Sequence, residues 1–194
     1  MAVPPPDPGA ADGAKAKALL RADLRARRDA FLAANRPALR PTPELLALLQ
    51  PGTVVAAYWP IGSEADPRPL IDAAIARGST IALPRIEHRD QPMRFLAWRP
   101  GDALERGQFG LSQPVATAPE CAPDVILTPL LGVDAALNRI GYGAGYYDRA
   151  FAAFPGARRI GIAWSVQQVP FVPVDPWDVP LHALLTEQGW MLPK

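Results

Sequence analysis

Between residues 138 and 149 the chain reads Asn-Arg-Ile-Gly-Tyr-Gly-Ala-Gly-Tyr-Tyr-Asp-Arg, and these residue types suit phosphate chemistry. Gly141, Gly143 and Gly145 alternate, so the backbone can take positive φ and approach a ligand with no Cβ in the way. Arg139 and Arg149 bracket the glycines with forked guanidinium groups that match phosphate oxygens. Residues 123–128, upstream, predict a short buried strand, and residues 146–154, downstream, predict a helix. A strand, a glycine-rich loop and a helix would gather free N–H groups and a positive helix end around an anion. The spacing is G-x-G-x-G rather than the G-x-G-x-x-G of dinucleotide folds, and no G-x-x-x-x-G-K-[ST] occurs. The same glycines would also serve a tight strand-to-helix turn.

Three further groups could join that loop. The first is a basic stripe, Lys17, Arg21, Arg25 and Arg28, set beside an apolar stripe of Leu20, Leu24 and Phe31 on one long helix. With the apolar stripe docked, the long cationic side chains would reach over its edge into a cleft. The second is Glu64, in Trp59-Pro-Ile-Gly-Ser-Glu-Ala-Asp66, a loop just after a strand. The third is a carboxylate pair, Asp148 and Asp178, the latter in Pro176-Trp-Asp-Val-Pro180. Phosphates of ATP need cations, backbone donors and a hard metal ion, and these groups supply partners for all three. Asp178 also suits a turn, and Glu64 a helix start near Asp66-Pro67.

The elements that must position these residues alternate. Residues 14–34 hold no Gly or Pro and predict a long helix. Thr42-Pro43-Glu44 marks a second helix start. Strands are expected over 53–59, 80–83, 94–98, 125–128, 159–164 and 183–186, with a helix over 69–77 closed by Gly78. This order predicts an α/β fold, Rossmann-like, with a mostly parallel sheet flanked by helices in a single domain over residues 14–194. In such sheets ligands bind beyond the carboxyl ends of the strands, where residues 60–66 and 128–145 would both lie. Residues 1–13, rich in Pro, Gly and Ala, read as a disordered tail and as neither a signal nor a transit peptide.

Composition bounds the chemistry. The 194 residues, 49% hydrophobic and 20% charged, suit one soluble domain, and no apolar run approaches the roughly 20 residues of a membrane helix. A single cysteine, Cys121, allows no internal disulfide and agrees with a reducing cytoplasm. Cys121 and the separated His88 and His182 cannot by themselves assemble a zinc site, so carboxylates and phosphate would hold any metal, which points to Mg²⁺. His182 and Cys121 read as structural, Trp98 and Trp164 as core. The net charge of +1 hides an asymmetry: residues 15–40 carry eight Lys/Arg against two acids, +6, leaving −5 elsewhere. A basic run of this kind is more often a solvated face than a nucleic-acid surface.

In chain order these pieces resemble the family of 5-formyltetrahydrofolate cyclo-ligases, also called 5,10-methenyltetrahydrofolate synthetases. The matching elements are Lys17-x-x-x-Arg21, Pro-x-x-Ser-Glu64, Arg68-Pro-Leu70, Leu83-Pro-Arg85, Met93-Arg-Phe95 and Gly107-x-Phe-Gly110 with Pro114. Last come Arg139-x-Gly-Tyr-Gly-x-Gly-Tyr-Tyr-Asp-Arg149 and Asp178-x-Pro-x-x-x-x-x-Thr186-Glu187. The resemblance implies ATP bound by Lys17, Arg21, Arg139, Gly141, Tyr142, Gly143, Gly145, Tyr146 and Tyr147. It implies Mg²⁺ on Asp148 and Asp178, folate on Glu64, Tyr146 between the two substrates, and Arg139 and Tyr146 as the residues nearest the chemistry. The implied reaction turns 5-formyltetrahydrofolate and ATP into 5,10-methenyltetrahydrofolate, ADP and phosphate in the cytoplasm. The implied partners are these small molecules, with no membrane and no nucleic acid. Three positions depart from the family pattern: His182 where an Asp is frequent, Gln113 where a Glu usually precedes Pro114, and Ala144 where some members have Lys. The rival readings are a member acting on another formyl- or formimino-folate and a non-catalytic nucleotide- or RNA-binding relative. The second of these predicts loss of Glu64 and the Asp148/Asp178 pair, which are present.

Overall fold

The strands that carry the site are short, apolar runs buried on both faces, the mark of parallel pairing covered by helices. In a computed structural model describing residues 8–35, 37–88 and 91–194, β6 (Val125–Pro129), β9 (Arg158–Ile162), β1 (Val54–Ala56), β2 (Thr80–Arg85) and β10 (Ala183–Thr186) form a parallel block. Antiparallel edges are added by β3 (Arg94–Ala97) and β11 (Gly189–Met191), giving the order β11-β10-β9-β6-β1-β2-β3. Successive residues of one strand enter different cores: Val55, Leu127 and Leu185 join one cluster, Ala56, Ile126 and Leu184 the other. The first cluster packs under α2 (Pro43–Leu48) and α3 (Arg68–Ala76), the second under α4 (Tyr146–Ala153). This is the mostly parallel α/β sheet expected from the alternation of elements.

From β1 the chain goes to β2 on one side and later to β6 on the other. The strand order therefore reverses between β1 and β6, and a crevice opens beyond their carboxyl ends. The loop after β1 carries Glu64, and the longer connection after β6 leads to the glycines.

Several boundaries differ from expectation. Helix α1 (Pro8–Ala34) begins at Pro8, not Ala14. A proline is tolerated in a first turn, and Ala10, Ala11 and Ala14 carry the helix past Gly9 and Gly13. The rest of the expected tail, residues 1–7, lies outside the described residues. Strand β1 stops at Ala56 rather than Trp59, because the chain turns into the loop in which the Tyr58 hydroxyl donates to the Ala65 carbonyl. The glycine loop does not follow β6 directly. A two-residue ladder of β7 (Gly132–Val133) and β8 (Arg139–Ile140) stands between them. A second small hairpin, β4 (Leu104–Arg106) with β5 (Ser112–Pro114), and the edge strand β11 were also not expected. Pairings of two or three residues are too short to show a period of two in the sequence.

Candidate active site

Asp134 builds the turn that presents the first arginine. Its Oδ1 accepts from Ala136 N (3.0 Å) and Asn138 N (2.9 Å). Its Oδ2 accepts from Asn138 Nδ2 (3.1 Å) and from Val172 N (3.2 Å), tying the turn to the segment after residue 170. Leu137, buried at φ 62°, is held in the left-handed region by this network. Arg139 emerges from β8 with a side chain only 6% exposed. Its Nη2 donates to Asp148 Oδ1 at 2.6 Å, its Nη1 donates to the Val179 carbonyl, and the guanidinium lies 4.5 Å over the Phe151 ring.

Helix α1 supplies the other cations from the face expected for them. Gly132 lets it approach: a Cβ there would sit 2.4 Å from Leu24 Cδ1. Arg21 Nε donates to the Gly141 carbonyl at 2.9 Å, and its guanidinium lies on Gly143, where φ is +95° and a Cβ would be 3.3 Å from the Arg21 guanidinium carbon. Gly141 itself is not in the left-handed region, so its role is the carbonyl that holds Arg21. Lys17 Nζ donates to Asp175 Oδ2 (2.7 Å) and Asp178 Oδ2 (3.0 Å). Burial works to lower the Lys17 pKa, but the two hydrogen bonds and charges outweigh it and leave the ammonium above the ordinary lysine value. Asp178 Oδ2 also accepts from Asp175 N at 2.8 Å, and Val179 N approaches Asp148 Oδ1 at 3.5 Å, so Asp148 touches the segment that carries Asp178.

Arg149 departs from its expected place. It does not line the cavity; its Nη1 donates to the Ala144 carbonyl at 3.1 Å and its guanidinium stacks 4.9 Å from the Tyr146 ring. One residue into the helix from Asp148, it points back toward the loop's own backbone and props up the glycine turn.

A different arrangement surrounds Glu64, which is 7% exposed. Its Oε1 accepts from the Tyr142 hydroxyl at 2.6 Å and its Oε2 from Ile61 N at 2.9 Å. Arg28, also buried, donates from Nη1 to Tyr142 Oη (3.0 Å) and from Nε to Ser63 Oγ (2.9 Å). Burial raises the Glu64 pKa, and the hydrogen bonds from Tyr142 and Ile61 with the nearby Arg28 charge only partly offset it. The Tyr142 and Tyr147 phenols are raised as well, by burial first and by the Glu64 charge second.

These parts enclose one cavity of about 460 Å³, lined by every residue that the family resemblance assigns to ATP, metal or folate. That set is Lys17, Arg21, Glu64, Arg139, Gly141, Tyr142, Gly143, Gly145, Tyr146, Tyr147, Asp148 and Asp178. Tyr146 is 8% exposed, and its hydroxyl is buried with no partner among the described residues. Sequence reasoning missed Asp175, Tyr58 and Trp177, and placed Arg28 in the basic stripe without its partners Ser63 and Tyr142. Tyr58 and the exposed Trp177 line the cavity with Trp59, Met93 and Ile86. The signals were an aromatic pair ahead of Pro60 after a strand, and a tryptophan between two acids in a proline-rich loop.

Among the described residues no cluster of three or more His, Cys, Asp or Glu side chains forms a metal cage. Asp148 and Asp178, both lining this cavity, nevertheless suit Mg²⁺, which is held by one or two carboxylates together with substrate phosphates. The departures have local explanations. Gln113 is buried, accepts from Ile86 N at 3.2 Å, and packs where a Cβ on Gly107 would lie 2.3 Å away. His182 Nδ1 accepts from Arg159 N at 3.0 Å, and burial followed by the charges of Arg159 and Arg158 lowers its pKa, a structural role as expected. Trp98 and Trp164 are core residues, also as expected. No described helix is long and apolar enough to cross a membrane.

Comparison with known proteins agrees with this geometry. The model of the 5-formyltetrahydrofolate cyclo-ligase family matches residues 13–187. A 5-formyltetrahydrofolate cyclo-ligase of Haemophilus influenzae is 30% identical over 138 residues, 68% of this chain and 74% of that one. Its counterpart in Mycolicibacterium smegmatis is 34% identical over 152 residues, 71% and 76% of the two chains. The solved 5,10-methenyltetrahydrofolate synthetase of Aquifex aeolicus superposes with a TM-score of 0.69 at 24% identity, covering 91% and 92%, and shares the fold. The chain belongs to the 5-formyltetrahydrofolate cyclo-ligase family.

Proposed function

We propose that this family member uses ATP and Mg²⁺ to convert 5-formyltetrahydrofolate into 5,10-methenyltetrahydrofolate, in the cytoplasm. The observation that carries the reading is a single cavity joining two unlike walls. One is a glycine loop with Lys17, Arg21 and Arg139; the other is a buried Glu64 with aromatic and apolar neighbours. A nucleotide polyphosphate suits the first and a fused heterocycle the second.

The reaction explains why both walls face one space. The formyl group on N5 is an amide, a poor electrophile because nitrogen donates into its carbonyl. Its oxygen attacks the γ-phosphorus of ATP, an O–P bond forms, and the bond to the β-phosphate oxygen breaks to release ADP. N10 then attacks the activated carbon, loses its proton, and expels phosphate as the C–O bond breaks, leaving the cyclic amidinium. Such chemistry asks for positioning and charge neutralisation more than for a strong protein base. It also accounts for a site with no Ser-His-Asp or Cys-His set among its lining residues.

Each residue then has a task. Arg139, Arg21 and Lys17 neutralise phosphate oxygens, and the N-terminal turn of α4 with the Gly143–Gly145 backbone receives them. Glu64 accepts N–H bonds from the heterocycle, as a carboxylate can accept two in parallel. The unpartnered Tyr146 hydroxyl is free to donate to a substrate oxygen between the two walls. Trp177, exposed at the rim beside Asp178, offers a ring face to the nucleotide base. Mg²⁺, held by Asp148 and Asp178, would neutralise charge developing on the transferred phosphoryl group.

The test mixes protein, 5-formyltetrahydrofolate, ATP and Mg²⁺ and follows the near-ultraviolet absorbance of the methenyl product. Growth of that band only with ATP and only without EDTA is expected. Its absence, with ATP still bound in a calorimeter, would overturn the substrate assignment.

A further inference from the structure

The cavity wall around the glycine loop is already neutral. Three cations line it there, Lys17, Arg21 and Arg139, and three carboxylates, Asp148, Asp175 and Asp178. They are not merely equal in number. Asp148 is paired with Arg139 at 2.6 Å, and Lys17 sits between Asp175 (2.7 Å) and Asp178 (3.0 Å). The Lys17 and Arg139 side chains are 14% and 6% exposed and Asp178 and Asp148 20% and 24%, so water screens the Arg139–Asp148 and Lys17–Asp178 pairs poorly, whereas Asp175, at 43%, meets solvent.

Each member of these pairs therefore holds the charge that an incoming ion would need. A divalent cation approaching Asp148 and Asp178 meets carboxylates whose charge is answered by an arginine and a lysine. A free polyphosphate approaching Lys17 and Arg139 meets cations whose charge is answered by aspartates. Breaking either pair for one ligand alone strands a partly buried charge, which is costly. When metal and phosphate arrive together the cations turn to phosphate oxygens, Asp148 and Asp178 turn to metal, and only the half-exposed Asp175 is released, to water.

We propose that Lys17 and Arg139 act as built-in counter-ions that make the site select the metal–nucleotide complex over either free ion, with Asp175 holding Lys17 in the resting state. This rests on the nucleotide and metal assignments made above. Asp175 becomes a specificity residue: it carries the ammonium when no phosphate is present. Arg21 stands outside the exchange, because its partner is the Gly141 carbonyl and not a carboxylate. It remains a fixed donor in both states.

Mn²⁺ provides a probe that does not depend on turnover, since its free form is counted by electron paramagnetic resonance. The wild-type chain is expected to take up Mn²⁺ at least tenfold more tightly with ADP present than without it. Lys17→Met leaves Asp175 and Asp178 without their cation and is expected to bind Mn²⁺ alone at least tenfold more tightly than wild type. Lys17→Arg, which restores the charge, is expected to refuse the metal as wild type does. A loss of fold would instead lower metal uptake in both variants, so the contrast between them separates a local charge effect from damage. Adding Asp178→Asn to Lys17→Met should abolish the gained uptake.

Two results would overturn the proposal: wild type binding Mn²⁺ equally with and without ADP, or Lys17→Met binding it no better than wild type. The Lys17→Met measurement contains no nucleotide. A failure of the ATP reading would show separately, as no ADP binding by calorimetry in the wild-type chain.

Discussion

At the glycine-loop end of the cavity each carboxylate is answered by a formal cation, whereas at the Glu64 end the carboxylate is answered by a hydroxyl and a backbone amide. Helix α1 serves both, with Lys17 at one end and Arg28, eleven residues on, at the other, about 16 Å apart along its axis. Ion pairs can exchange partners when a charged ligand arrives. A buried carboxylate fixed by Tyr142 and Ile61 cannot, and so presents the same acceptor geometry before and after binding. The difference teaches a division of labour: the first end adapts to a phosphate whose charge and bonding change in the reaction, and the second holds a ring that must not move.

The comparison breaks most readily at Arg139. Arg139→Gln removes a phosphate donor and at the same time leaves Asp148 facing the cavity without its cation. Loss of one charge-stabilising donor at a reacting centre costs about 10²–10³ in kcat. That drop, read from methenyl absorbance at saturating substrates with little change in the KM for folate, is expected. A kcat within threefold of wild type would take Arg139 out of the phosphoryl-transfer machinery.

At the other end Glu64→Gln should act on binding. Losing a charge-assisted acceptor costs about 2 kcal/mol, a rise of about 30-fold in the KM for 5-formyltetrahydrofolate. The KM for ATP should stay within twofold. If both constants rise together, the two ends are not separable and Glu64 supports the whole cavity.

Trp177→Ala sharpens the same division with a smaller effect. Stacking of a base on an aromatic ring is worth about 1–3 kcal/mol, so the KM for ATP should rise about tenfold while that for folate is unmoved. Retention of most of the ring's contribution in Trp177→Phe would separate stacking from a loop effect. A rise confined to the folate constant would move Trp177 to the other substrate.

How legible each end was in the sequence follows from the range of its contacts. The glycine loop and its flanking Arg139 and Asp148 lie within ten residues, so their spacing alone carried the phosphate reading. The strand–helix alternation carried the sheet, because parallel strands buried on both faces are continuous apolar runs. The Glu64 end depends on partners 36 and 78 residues away, Arg28 and Tyr142, whose meeting no local pattern announces. Arg28 stood on the correct helix face, yet its burial beside Tyr142 follows only from how α1 docks. Asp175 was hidden for a related reason: Pro173, Pro176 and Pro180 around it read as a loop with no period, and its partner Lys17 is 158 residues away. Arg149 differs in the opposite direction. Its spacing matched phosphate; helix geometry puts its Nη1 on the Ala144 carbonyl and leaves Nε and Nη2 buried with no partner among the described residues.

The least of the expected effects bears on what the Glu64 end costs the fold. Burial raises the Glu64 carboxyl above its ordinary value of 4.5, so the folded chain favours the neutral acid relative to the unfolded chain. The stability this group contributes is complete below its unfolded pKa and is lost as pH rises through the raised, folded value. Glutamine does not titrate, so the comparison isolates this one group. The melting temperature of Glu64→Gln minus that of wild type should therefore increase as pH goes from 4 to 8, whatever its starting sign. At neutral pH the wild-type carboxylate would then be a group the fold tolerates for the sake of its ligand. A gap that shrinks with pH would mean that Arg28, acting through Tyr142, neutralises Glu64 outright. The two ends of the cavity would then follow one electrostatic rule, and the contrast between them would fall.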